Sequence, residues 1–77
     1  MLIDLDEALK LARAKDPLFY PIESNPAKAG MWAAEVVMPK HGRVHVEGRG
    51  LHGAREQLIR YLAGDSDTRL RILRGPK

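Results

Sequence analysis

The stretch EGRGLHGAREQL, residues 47–58, carries glycines at 48, 50 and 53, the G-x-G-x-x-G spacing of a loop that cradles phosphate. A dinucleotide site needs a buried parallel strand before that loop and an acidic residue about 20 positions after it. Here the preceding run Arg43-Val44-His45-Val46-Glu47 alternates, as a half-buried strand does, and the chain runs on to Arg74 instead of an acid. The glycines therefore read as the bend between a strand and a helix, and no cofactor is expected. Free amides at the helix start, beside Arg49, His52 and Arg55, could still receive a phosphate of nucleic acid.

His41, His45 and His52, with Glu35 and Glu47, supply metal-ligand types. They lack the fixed spacing of a zinc motif, and the chain has no cysteine, so no metal site, thiolate nucleophile or disulfide is expected. An acid–base role for the two glutamates would need a cleft to separate their pKa values, and an open sheet face supplies none. No Ser-His-Asp arrangement is legible, and the sequence predicts no enzyme.

Charge is the stronger signal. Residues 1–38 carry four Lys/Arg against six Asp/Glu, whereas residues 39–77 carry nine against four, seven of the nine being arginine. Arginine suits bidentate contacts with phosphate or carboxylate, so this half points to nucleic acid or to an acidic protein surface. The residues expected to meet such a partner are Arg43, His45, Arg49, His52, Arg55, Arg69 and Arg71. With 77 residues the chain is one small domain, and no apolar run reaches the roughly 20 residues of a membrane span. The start MLIDLDEALK is acidic where a signal peptide is basic, which predicts a cytoplasmic protein.

Five elements must position these residues. Asp4 and Glu7 have capping spacing, and Leu5, Ala8, Leu9 and Ala12 follow on one face, predicting a helix over 4–15 that Pro17 ends. Residues 18–23 read as a short edge strand, which would point Phe19 and Tyr20 to opposite sides. Ser24-Asn25-Pro26 is a turn, and PAKAG has the makings of one helical turn.

Residues 31–49 read as a hairpin. Trp32, Ala34, Val36 and Met38 share its buried face with Val44 and Val46. Setting Met38 opposite Val44 and Val36 opposite Val46 leaves the loop Lys40-His41-Gly42, with glycine at the left-handed position. That register puts Val37 opposite His45 and Glu35 opposite Glu47, a repulsive pair within reach of Arg43 and Arg49. Residues 51–63 then read as a helix stopped by Gly64, and the Arg/Leu alternation of 68–74 as a last strand.

The order FYPIES, GMWAAEVVMPKHG, RVHVEGRG, AREQLIRYLAG, RLRILRG resembles the HicB-like antitoxin domain, a reduced ribonuclease-H-like fold, over residues 19–73. The likeness lies in the early YPI strand, the G-x-W-x-A-E strand ending in Pro then Gly, and the Gly-marked helix entry. Members usually enter that helix with a Thr-x-x-Glu-Ala cap, where this chain has Leu51-His52-Gly53-Ala54-Arg55, and the helix over 4–15 is extra. The resemblance implies a non-catalytic binder of a nucleic-acid-processing protein. The order helix, three strands, helix is also similar to that of the double-stranded-RNA-binding domain, whose lysine cluster at the last helix is missing here.

These readings predict one α+β domain, a mainly antiparallel sheet with helices 4–15 and 51–63 on one face. They predict a protein-interaction module that inhibits or neutralises its partner, a nuclease or another nucleic-acid-processing complex. Such a module would be antitoxin-like, or an inhibitor carried by a phage or mobile element, such as an anti-CRISPR protein. A basic RNA- or DNA-binding module is the alternative, and the chain is also compatible with a homodimer.

Overall fold

The computed structural model describes residues 4–74. Asp4 opens the first helix, α1 (Leu5–Ala12), by accepting the Glu7 amide on its carboxylate at 2.8 Å. Leu5, Ala8 and Ala12 are buried along one face, as their spacing predicts. The helix stops before Pro17, correcting the expected end at 15. Arg13 takes a left-handed conformation (φ 57°), and its amide closes onto the Leu9 and Lys10 carbonyls. This turn lets Ala14 pack on the core and brings the Lys15 amide to the Val37 carbonyl at 3.1 Å.

Three strands follow, β1 (Leu18–Pro21), β2 (Met31–Met38) and β3 (Gly42–Arg49), antiparallel in the order β1-β2-β3. A 3-10 turn over Pro26–Lys28, capped by the Asn25 side chain, links β1 to β2. Phe19 faces the core and Tyr20 the other side. Trp32 keeps its place on the core face but is only partly buried, while Ala34, Val36, Met38 and Val44 are buried.

The hairpin register differs from the expected one by two residues. Val36 lies opposite Val44, Ala34 opposite Val46 and Met38 opposite Gly42. The loop is Pro39-Lys40-His41, and Gly42, at φ +69°, is the first paired residue after it. A two-residue shift leaves every side chain on its predicted face, so the hydrophobic pattern alone does not distinguish the two registers.

The glycine motif resolves into separate jobs. Gly50, at φ +66°, turns the chain out of the sheet, and its amide bonds the Gly30 carbonyl at 2.9 Å. Gly48 lets helix α2 (Gly50–Gly64) lie against the strand. A Cβ there would fall 2.6 Å from the Ala54 nitrogen and closer still to the Gly53 carbonyl. Contact at that range places Ala54, Leu58 and Leu62 over the sheet, all fully buried.

Residues 68–74 are not a strand. They belong to a third helix, α3 (Ser66–Arg74), and α2 runs through Gly64 to an extended Asp65. Asp65 caps α3, accepting the Thr68 amide at 3.1 Å and the Thr68 hydroxyl at 3.0 Å. The inward residues are Thr68, Arg71 and Ile72, a helical spacing, whereas Leu70 and Leu73 are exposed. The alternation in this short segment is therefore not a sheet pattern. All three helices contact one another, α2 covers one face of the sheet, and the fold is α+β.

Gly48→Ala should lower stability by about 1–3 kcal/mol or more, because backbone must move to admit the methyl group. Gly64→Ala, with no atom near the added Cβ, should change it by less than about 1 kcal/mol. Urea denaturation midpoints of the two variants check this contrast, and equal effects would contradict the close approach.

Candidate functional site

The face of the sheet away from the helices holds a continuous polar network. The register sets His45 opposite Glu35, so the two glutamates lie diagonally across the ladder with the imidazole between them. His45 Nδ1 is 3.2 Å from Glu35 Oε2, and its Nε2 is 2.9 Å from Glu47 Oε2. Ionised carboxylates only accept hydrogen bonds, so an imidazole serving both must carry a proton on each nitrogen. The repulsive Glu35–Glu47 pairing expected from the sequence is replaced by a cation shared between two anions.

Each carboxylate has a further partner. Tyr20 donates its hydroxyl to Glu35 at 2.5 Å, and Lys28 donates to both oxygens of Glu47 at 2.9 and 3.1 Å. The Tyr20 and His45 bonds, in that order, hold the Glu35 pKa below its ordinary value. Lys28 and then His45 lower that of Glu47. Glu47 and then Glu35 raise that of His45. The bond to Glu35 also raises the Tyr20 pKa, since ionised phenol cannot donate. Ala33, whose ladder neighbours are Tyr20 and Glu47, is fully buried on this outer face.

Tyr20 and Lys28 are missing from the sequence-derived set. For Tyr20 a signal existed, its outward direction in an extended β1. For Lys28 there was none, because only the 3-10 turn capped by Asn25 aims it at β3.

The predicted basic residues do not form one patch. Arg43, His45 and Arg49 share the outer face of β3, with Arg43 opposite Val37 and Arg49 opposite Met31. His52 and Arg55 lie in the first turns of α2, where His52 pairs with Glu56 at 3.1 Å and Arg55 sits 6.0 Å above the Phe19 ring. Arg69 is exposed on α3, while Arg71 donates to the Leu11 carbonyl at 2.5 Å and ties α3 to α1. α2 starts without a side-chain cap, Arg49 being its N-cap residue.

A second cluster joins the hairpin loop to α3. His41 Nε2 lies 2.6 Å from Asp65 Oδ1, and Lys40 Nζ lies 2.8 Å from Asp67 Oδ2. The Asp65 pKa is lowered by the Thr68 amide first and then by His41. Lys40 lowers that of Asp67. Arg13, Met38 and Arg71 line the shallow cleft between them. With Asp65 already committed to capping, these pairs read as a staple holding α3 against the loop. Among the described residues, no group of three or more His, Asp or Glu side chains is placed to hold a metal ion. No helix among them is long and apolar enough to cross a membrane.

The outer-face network should make stability depend on pH in two directions. The folded-state pKa of His45 is raised, so its contribution is complete below the ordinary value of about 6.5 and is lost as pH rises through the folded value. Those of Glu35 and Glu47 are lowered, so theirs is complete above about 4.3 and is lost as pH falls through the folded values. The network should therefore stabilise most between about pH 4.3 and 6.5. Thermal melting against pH should show a decline above that window that is shallower in His45→Gln. Identical slopes in the two proteins would contradict the assignment.

The chain matches no known family model, no curated protein and no solved structure.

Proposed function

We propose that the chain is a non-enzymatic protein-interaction module that inhibits or neutralises a nucleic-acid-processing partner. The observation that carries this reading is the uncovered sheet face. Leu18 and Val37 are 60% and 40% exposed there, Leu18 across from Glu35 on β1 and Val37 two residues along from it on β2, beside the polar network. Both Glu47 oxygens are bonded, to Lys28 and His45, and Glu35 Oε2 takes both Tyr20 and His45, an arrangement that suits a docking surface better than proton transfer. The face carries Lys28, Arg43, imidazolium His45 and Arg49 against Glu35 and Glu47, an excess of positive charge that complements an acidic protein surface. The nucleic-acid-processing identity of the partner comes from the HicB-like resemblance, whose three strands and following helix correspond to β1, β2, β3 and α2, while α3 stands where its last strand would be. Neutralising a toxin in a cytoplasmic pair and blocking a host defence complex, as an anti-CRISPR protein does, are two forms of this activity.

Direct binding of RNA or DNA is the second reading. The element order favours it, since helix, three strands and helix precede α3, and the uncapped start of α2 lies beside Arg49, His52 and Arg55. The scatter of the basic residues over β3, α2 and α3 favours the first.

Fluorescence anisotropy with labelled duplex and single-stranded DNA and RNA separates the two, measured at about 50 and 200 mM salt. The docking reading predicts only non-specific affinity, about 10⁻⁴ to 10⁻⁶ M. Tight binding that falls steeply with salt, and that weakens for every sequence in an Arg49→Ala, Arg55→Ala variant, would overturn it in favour of nucleic acid.

A further inference from the structure

The two edges of the sheet are unlike. β1 has four residues and ends in Pro21, which blunts it as a pairing edge. β3 has eight residues, pairs along its whole length with β2 and contains neither proline nor a bulge. α2 packs over the face of the sheet that carries Val44 and Val46.

The hydrogen-bond parity shows which groups this edge offers. The Gly50 amide bonds the Gly30 carbonyl, which places the even-numbered residues of β3 in the hydrogen-bonded pairs with β2. The Lys15 amide on the Val37 carbonyl and the Ile22 amide on the Met31 carbonyl agree, since both put odd-numbered β2 groups on the β1 side. Arg43, His45 and Glu47 therefore aim their backbone N–H and C=O groups out of the sheet.

We infer that β3 pairs with β3 of a second copy of this chain, antiparallel about a two-fold axis at His45, giving a continuous six-stranded sheet. Only pairings that set odd-numbered residues opposite one another use those outward groups, and their charges separate the choices. Centring on His45 puts Arg43 opposite the partner's Glu47 twice, and Val44 beside the partner's Val46 twice. Centring on Val44 sets Arg43 against His45. Centring on Val46 sets Arg43 against Arg49, and centring on Glu47 sets the two Glu47 carboxylates against each other. The one like pair in the favoured register is His45 with its copy, and each imidazole is already flanked by two carboxylates. Arg43 has no ion-pair partner within its own chain among the described residues, so the pairing supplies one. This assembly does not depend on the proposed function.

Sedimentation equilibrium from roughly 10 µM to 1 mM should show the wild-type chain passing from 8.6 kDa to twice that mass. Arg43→Glu and Glu47→Arg should each remain monomeric, the first opposing four acids across the axis and the second four bases. Their equimolar mixture restores both opposite-charge pairs and should dimerise, an outcome that a folding defect cannot mimic. A wild-type monomer throughout, a dimer unaffected by either variant, or a mixture of folded variants that stays monomeric would each overturn the inference. Should a variant fail to fold by circular dichroism, wild-type amide exchange decides. The Arg43, His45 and Glu47 amides must gain protection as concentration rises, and concentration-independent exchange overturns the pairing.

Discussion

The close approach of Gly48 to the first turn of α2 is the constraint on which the remaining arrangement depends. With no side chain between strand and helix, α2 comes down onto the sheet and buries Ala54, Leu58 and Leu62. Full burial of a leucine is worth about 1.5–3 kcal/mol, so these two supply a large part of a small domain's margin. α1 and α3 then gather around α2, and the buried apolar cluster lies on that side of the sheet. The second face, away from the helices, carries Tyr20, Glu35, His45 and Glu47.

That second face must therefore satisfy its own polar groups, and the hairpin register makes it do so. Shifting β3 by two residues would keep every side chain on its face and set Glu35 directly against Glu47. In the observed register His45 occupies the place between them, and Tyr20 and Lys28 complete the coordination from β1 and the 3-10 turn. The outcome is an ordered surface in which Leu18 and Val37 remain accessible. An ordered face needs little rearrangement to dock, which lowers the entropy lost on binding a partner.

Much of this was legible in the residues. Asp4 and the apolar spacing after it announce α1, Gly42 marks the hairpin, and the alternation of β2 and β3 assigns every side chain to its face. The register was not legible, because hydrophobic alternation has a period of two and cannot detect a slip of two. Setting Met38 opposite Val44 picks the wrong alternative and makes Gly42 the last loop residue, when it is the first paired one. α3 was misread because Arg69 to Ile72 alternate over a span too short to separate strand from helix, while the informative residue was Asp65, a cap for Thr68. Lys28 could not be foreseen at all, since its role arises from a turn that carries it across to Glu47. Local caps and face assignment live in the sequence; the partners of charged side chains depend on tertiary placement.

The state of His45 tests the account most directly, because the outer face holds together only if the ring is a cation between two carboxylates. An NMR titration of the His45 ring nitrogens should give a midpoint above the ordinary value of about 6.5, with both nitrogens protonated below it. Glu47→Gln should move that midpoint down. A ring that is neutral at about pH 6.5 and titrates at or below the ordinary value would contradict the network, and with it the reading of this face as a preformed docking surface.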